Sequence, residues 1–103
     1  MSNSRFMTEK NNSVGPVLRG GEIAHAVCEA VEIDNPGREI SIEDHVAYIR
    51  VRLDRECIIR RDTMERIMGR PFRMQEIETD LSSFAGQIET TENHVRFYLE
   101  KTL

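Results

Sequence analysis

The sequence predicts an α+β fold, a compact single domain of antiparallel β-strands with two or three short helices. Three observations predict it. Ile23, Ala26, Val27, Ala30 and Val31 fall at i, i+3, i+4, i+7 and i+8, the apolar stripe of an amphipathic helix. Apolar residues then recur at period two over 39–53 and again over 95–99, as in half-buried strands. Between these patterns lie turn and cap signals, Asn35-Pro36-Gly37-Arg38 and Gly69 before Pro71.

At 103 residues the chain is long enough for one domain and one core. Its net charge of −4 and its short apolar runs point to a soluble cytoplasmic protein, with no membrane segment and no general affinity for nucleic acid. Cys28 and Cys57 lie far apart and outside any ligand spacing, so they read as reduced, buried thiols. Charge is unevenly distributed: residues 1–49 carry −4, residues 50–73 carry +4 and residues 74–103 carry −4. A basic middle between acidic flanks admits a docking surface for an acidic protein; on charge alone the plainer expectation is that Arg50 and Arg52 simply face outward from an amphipathic strand.

Residues 1–13 have no periodicity and read as a flexible tail, leaving 14–103 as the domain. Val14–Leu18 contains Pro16 and is expected to be an edge strand or no strand at all. Gly20-Gly21 opens the first helix and reads as a flexible junction. That helix must stop before Pro36, whose ring pushes the preceding residue out of the α region. In the following turn proline fixes φ at the second position and glycine accepts φ > 0 at the third.

Ile40 and Ile42 then alternate with Glu39, Ser41 and Glu43, and Ala47, Ile49, Val51 and Leu53 with Tyr48, Arg50 and Arg52. Asp54-Arg55 is expected to reverse the chain into a third strand, Cys57-Ile58-Ile59. Asp62 with Glu65 three residues on predicts a capped second helix in which Met64, Ile67 and Met68 face inward. Ile77, Thr79 and Leu81 suggest a strand, expected to pair across the polar 89–93 run with Val95, Phe97 and Leu99.

No catalytic constellation emerges. His25, His45 and His94 lie on different elements with no shared metal spacing. Cys57 beside Ile58 and Ile59 reads as inert, and Glu43-Asp44 and Glu76–Asp80 as solvated acids. The stretch from Leu81 to Ile88 is different: it is uncharged and mixes Ser82, Ser83 and Gln87 with Phe84 and Gly86. It suits close approach of another surface better than chemistry, and Phe84 admits both core packing and partner contact. A rival reading makes the chain a small nucleic-acid-binding module using the Arg-rich 50–73 segment with Tyr48.

The run GRPFRMQEIETDLSSFAGQI (69–88) and the run HVRFYLEK (94–101) resemble the catalytic effector proteins of soluble diiron monooxygenases, in particular the toluene monooxygenase branch. The resemblance extends through Asn12–Pro16, through AVEIDNPGREISIEDHVAYIRVR (30–52) and through the capped helix ending at Gly69, in order. It implies an effector-like fold and a non-catalytic subunit without a cofactor. Such a subunit binds the diiron hydroxylase of a toluene-type system and raises its rate, coupling and regiospecificity. The resemblance also implies an acidic ferredoxin that shares or abuts the same surface, in competition with it. By position, Asp80, Leu81, Ser82, Ser83 and Phe84 match the segment facing the hydroxylase, and Asn35, Pro36, Gly37 and Arg38 match a second interface region. Gln87 is assigned to the interface with them. The chain departs from the methane-oxidising members, which carry a small polar residue where Phe84 stands and a longer N-terminal tail.

Overall fold

The computed structural model describes residues 12–100. The expected tail lies outside the described residues as far as residue 11, while Ser13 already belongs to the first strand. Seven strands and three helices follow in the order β1 (Ser13–Arg19), α1 (Glu22–Asp34), β2 (Ser41–Asp44), β3 (Tyr48–Asp54), β4 (Glu56–Arg60), α2 (Arg61–Met68), α3 (Gln75–Thr79), β5 (Leu81–Ala85), β6 (Gln87–Thr90) and β7 (His94–Tyr98). The strands form two antiparallel sheets, ordered β2-β3-β1-β5 and β4-β7-β6.

The two periodicities predict the core well. Ile49, Val51 and Leu53 of β3 and Cys57 and Ile59 of β4 are buried, as are Val95 and Phe97 of β7. From α1 the buried stripe is Ala26, Val27, Ala30 and Val31, with Ile23 partly buried against it. Phe72, Met74 and Ile77 close the core from the segment after α2. Each such side chain contributes about 1.5–3 kcal/mol by leaving water.

Several expectations need correction. β1 is not an edge strand but lies between β3 and β5 despite Pro16. Its ladder with β3 runs through Ser13 and Val14, skips Gly15 and Pro16, and resumes at Val17. The proline, which has no N–H to give, sits in that interruption. Asp54-Arg55 does not close a hairpin. Arg55 takes φ 73° and its N–H bonds to Asn12 O at 2.7 Å, so the chain leaves one sheet and enters the other. Ile42 is 38% exposed because β2 is itself an edge strand.

The segment expected as a strand over 77–81 is α3, and only Leu81 begins β5. Met74, Ile77 and Leu81 also fit helical spacing, and the Glu76 carboxylate fixes the choice. It accepts Arg73 N at 3.1 Å and the Arg70 guanidinium at 3.1 Å, holding the first turn. These hydrogen bonds, the Arg70 side chain first and the Arg73 backbone second, hold the Glu76 carboxyl below its ordinary value. The partner of β7 is consequently β6, with the 91–93 loop between them.

The Asp62 capping box does not form. Asp34 instead reaches the start of α2 from the end of α1: its Oδ2 accepts Arg60 N at 2.8 Å and its Oδ1 accepts the Thr63 hydroxyl at 2.7 Å. Glu65 turns away to accept Phe72 N at 3.0 Å. At the other end of α2, Gly69 adopts the left-handed conformation expected of it. Gly20 is no flexible junction. Its N–H bonds to Ala47 O at 2.9 Å, and a Cβ there would lie 1.9 Å from Val46 O, so only glycine lets the β2–β3 hairpin approach.

Candidate docking surface

β5 is held on one side only, by β1, with Pro16 opposite Phe84 and Val17 opposite Ser83. The register slips between Val17 and Leu18, which faces Leu81, so Ser82 is an extra residue on β5. Such a bulge bends an edge strand and re-aims its side chains. Ser82, Ser83 and Gln87 are exposed, and their side-chain polar groups make no hydrogen bond among the described residues. They are free to bond to a partner.

Phe84 packs inward with one part of its ring and leaves the rest uncovered. One side of its ring tilts against buried Phe97, with centroids 5.9 Å apart at 49°, while 41% of the residue remains exposed. Gly86 separates β5 from β6 at φ 92°, and a Cβ there would come within 2.7 Å of both Tyr98 O and Val14 Cγ1. The sharp step between the two edge strands therefore needs glycine. At the start of β5 the backbone carbonyl of Asp80 accepts Arg19 N at 2.8 Å, anchoring the segment to β1.

The second expected region divides. Asn35 is 5% exposed and turned inward: its Nδ2 donates to Val31 O and Ile58 O, both at 2.9 Å, and its Oδ1 accepts Ile58 N at 3.1 Å. Its side chain works inside the fold and has no surface to offer a partner. Pro36 and Gly37 are exposed, Gly37 taking the expected positive φ of 73°. Arg38 donates to Asp54 O. That contact puts the turn at the Asp54 end of β3. β5 runs from Asp80, beside Arg19 at the Tyr48 end, to Ala85, opposite Gly15 toward the Asp54 end, so Asp80 is remote from the turn and Phe84 is nearer to it.

The remaining candidates stay apart. His25 Nε2 is 3.9 Å from Asp44, His45 Nε2 is 3.5 Å from Glu43 and His94 Nε2 is 3.0 Å from Glu89. Among the described residues no three such groups could share a metal ion. The arginines of 50–73 do not form one strip. Arg50 and Arg52 lie on β3, Arg61 and Arg66 on α2, and Arg70 is paired with Glu76 beyond it. No helix among the described residues is long and apolar enough to cross a membrane.

Burial pushes the Cys57 thiol up to about 12, against an ordinary value of 9.0. The thiolate is the reactive form, so Cys57 should resist iodoacetamide at pH 8 until the protein unfolds. Half-buried Cys28 should be alkylated first, as peptide mass mapping would read. The folded state keeps the Cys57 proton that the unfolded chain loses. Stability should therefore fall, by at most about 1.4 kcal/mol per pH unit, as pH rises from about 9 to about 12.

The chain is similar to known proteins in sequence and in fold. The effector subunit of the alkene monooxygenase system of Xanthobacter autotrophicus (strain ATCC BAA-1158 / Py2) is 39% identical over 98 residues, 95% of this chain and 97% of that one. The stimulatory component DmpM of phenol 2-monooxygenase from Pseudomonas sp. (strain CF600) is 35% identical over 77 residues, covering 75% of this chain and 81% of its own. Among solved structures, a chain of a phenol hydroxylase–regulatory protein complex superposes with a TM-score of 0.75 at 27% identity, over 85% of this chain and 99% of that one. Regulatory protein B of soluble methane monooxygenase shares the fold, with a TM-score of 0.64 at 19% identity over 86% of this chain and 66% of its own. The MmoB/DmpM family model matches residues 12–98, nearly all of the described chain, and the protein belongs to the MmoB/DmpM family.

Proposed function

We propose that this effector subunit binds the diiron hydroxylase of a toluene-type monooxygenase through β5, β6 and the exposed part of the 36–38 turn, and tunes the hydroxylase active site. The relatives it matches are effector, stimulatory and regulatory components of monooxygenases rather than catalytic subunits. The observation that carries the docking site is the edge of β5. Phe84 is half exposed there near Ser82, Ser83 and Gln87, whose polar groups have no hydrogen-bond partner among the described residues.

The mechanism is a population shift. An effector moves a hydroxylase toward the conformation it binds more tightly, and only by that difference in affinity. About 3 kcal/mol of difference changes the ratio of two states by roughly a hundredfold, within reach of one aromatic anchor and a few hydrogen bonds. The chain needs no cofactor for this work. A ferredoxin that must reach the same hydroxylase would share or abut the surface.

The test is a titration of the protein into a hydroxylase, ferredoxin and reductase of the toluene type, following cresol isomers. A saturable rise in rate with a changed isomer ratio is expected. A flat response overturns the toluene assignment. The 39% identity to an alkene-system effector makes epoxide formation by an alkene hydroxylase the parallel assay, and a response confined to it would move the partner to that class.

A further inference from the structure

The outer face of the sheet β2-β3-β1-β5 carries a run of cations in a protein of net charge −4, with Arg19 exposed and Arg50 and Arg52 partly exposed. Along β3, Ile49, Val51 and Leu53 point into the core, so Tyr48, Arg50 and Arg52 point out. Their neighbours follow from the register. Glu43, Arg50, Val17 and Ser83 stand in one row across the four strands. Ser41 and Arg52 stand in the next, where the backbone of Gly15 passes beside Arg52 and pairs with Ala85. Arg19 stands beside Tyr48 at the end.

These cations are weakly engaged within the chain. Arg50 Nη1 is 3.5 Å from Glu43 Oε1, and Arg19 Nη2 donates to Thr79 O at 3.3 Å. Arg52 has no ion pair and no side-chain hydrogen bond among the described residues. The opposite case is the outer face of the second sheet. There Arg96 is bound by Glu56 at 2.6 Å and stacks 4.2 Å above the Tyr98 ring, leaving little for a partner.

We propose that the docking surface is not confined to β5 but runs across this face to Tyr48, where it meets a carboxylate-lined surface of the hydroxylase. The inference rests on the effector reading above. Its geometric ground is continuity: Ser83 and Ala85 of β5 lie on the same face as Val17, Arg50 and Arg52. Neighbouring strands are only about 4.8 Å apart, so a partner covering the outer side of β5 lies over β1 and comes within reach of β3. Its chemical ground is the state of Arg52. Covering a guanidinium with an apolar surface would strip its water and leave the charge unpaired, whereas a carboxylate can meet it with two parallel hydrogen bonds. The rim position of these arginines makes their main effect one of steering and register, sensitive to salt.

The experiment compares the full-length chain with Arg52→Glu, Arg19→Glu and the double variant in the reconstituted monooxygenase, at low and at raised salt. At low salt the double variant should need about tenfold more protein for half-maximal activation. Its response should depend less on salt than that of the wild type, and its melting temperature should be unchanged. Arg52→Gln should lie between wild type and Arg52→Glu. Coincident titration curves for wild type and double variant, with the wild type activating, overturn this inference and leave the effector function standing. A flat wild-type response overturns both. Salt-dependent binding of the wild type to a fluorescent oligonucleotide, lost in the double variant, reassigns the face to nucleic acid and overturns it as well.

Discussion

Asn35→Ala is expected to destabilise the protein by about 2–4 kcal/mol, lowering its melting temperature by roughly 10–25 °C. β4 is an edge strand, with β7 on one side only. On its open side, the Ile58 N–H and C=O are both met by the Asn35 carboxamide, which stands in for the peptide of a missing neighbour strand. The same carboxamide donates a second hydrogen to Val31 O at the end of α1. Alanine would leave the Ile58 N–H and C=O unpaired at a partly buried site, while Val31 O keeps the backbone N–H of residue 35, and an unmet buried group costs more than a made hydrogen bond stabilises.

Asn35→Asp separates this account from simple loss of volume. The carboxylate can still accept Ile58 N but has no hydrogen for Val31 O or Ile58 O, and its charge is buried. At neutral pH it should be at least as damaging as alanine, and acid should restore part of the loss by supplying a donor. Urea unfolding at two pH values measures this. A shift below about 1 kcal/mol for Asn35→Ala would show that water replaces the carboxamide readily and that the residue is free for other work.

The fate of Asn35 shows where the sequence is informative and where it stops. The turn chemistry of 35–38 was legible because Pro36 fixes φ and Gly37 accepts a positive one, both local effects, and Gly37 has the φ required. What Asn35 does was not legible, because its partner Ile58 lies 23 residues away across a sheet boundary. The same limit explains the second helix. Asp62 and Glu65 make a plausible local capping box, but Asp34 reaches the helix start first from another element. Burial along β3, β4 and β7 followed periodicity closely, since alternation is set within a strand. Strand partners did not follow it. Period two cannot tell that Asp54-Arg55 changes sheets, or that β6 rather than residues 77–81 pairs with β7. In the same way Arg50 and Arg52 could be aimed outward from sequence, yet only the register set by β1 places them on the same face as Ser83 and Ala85, with β1 between.

Phe84→Ala should weaken activation of the hydroxylase by about 2–3 kcal/mol, roughly 30–150-fold in the concentration needed, while costing the free protein only about 1–2 kcal/mol of stability. The two numbers come from the two sides of one ring. The inner side loses its tilted contact with Phe97 and part of its burial, a loss smaller than removing Phe97 itself, which is fully buried and should cost about 3–5 kcal/mol. The outer side is an aromatic surface on an edge strand, preceded by two hydroxyls with no hydrogen-bond partner among the described residues. Contact with Phe97 fixes the ring before binding, so little rotamer entropy remains to be lost at the interface. Phe84→Leu keeps much of the inner packing and should recover stability more fully than activation. The pair of variants therefore moves the two readouts by different amounts, which a purely structural role could not do. A melting temperature for Phe84→Ala as low as that of Phe97→Ala would place the ring in the core alone. An activation curve coincident with the wild type would remove Phe84 from the interface and leave the serines and the arginine face to hold the hydroxylase.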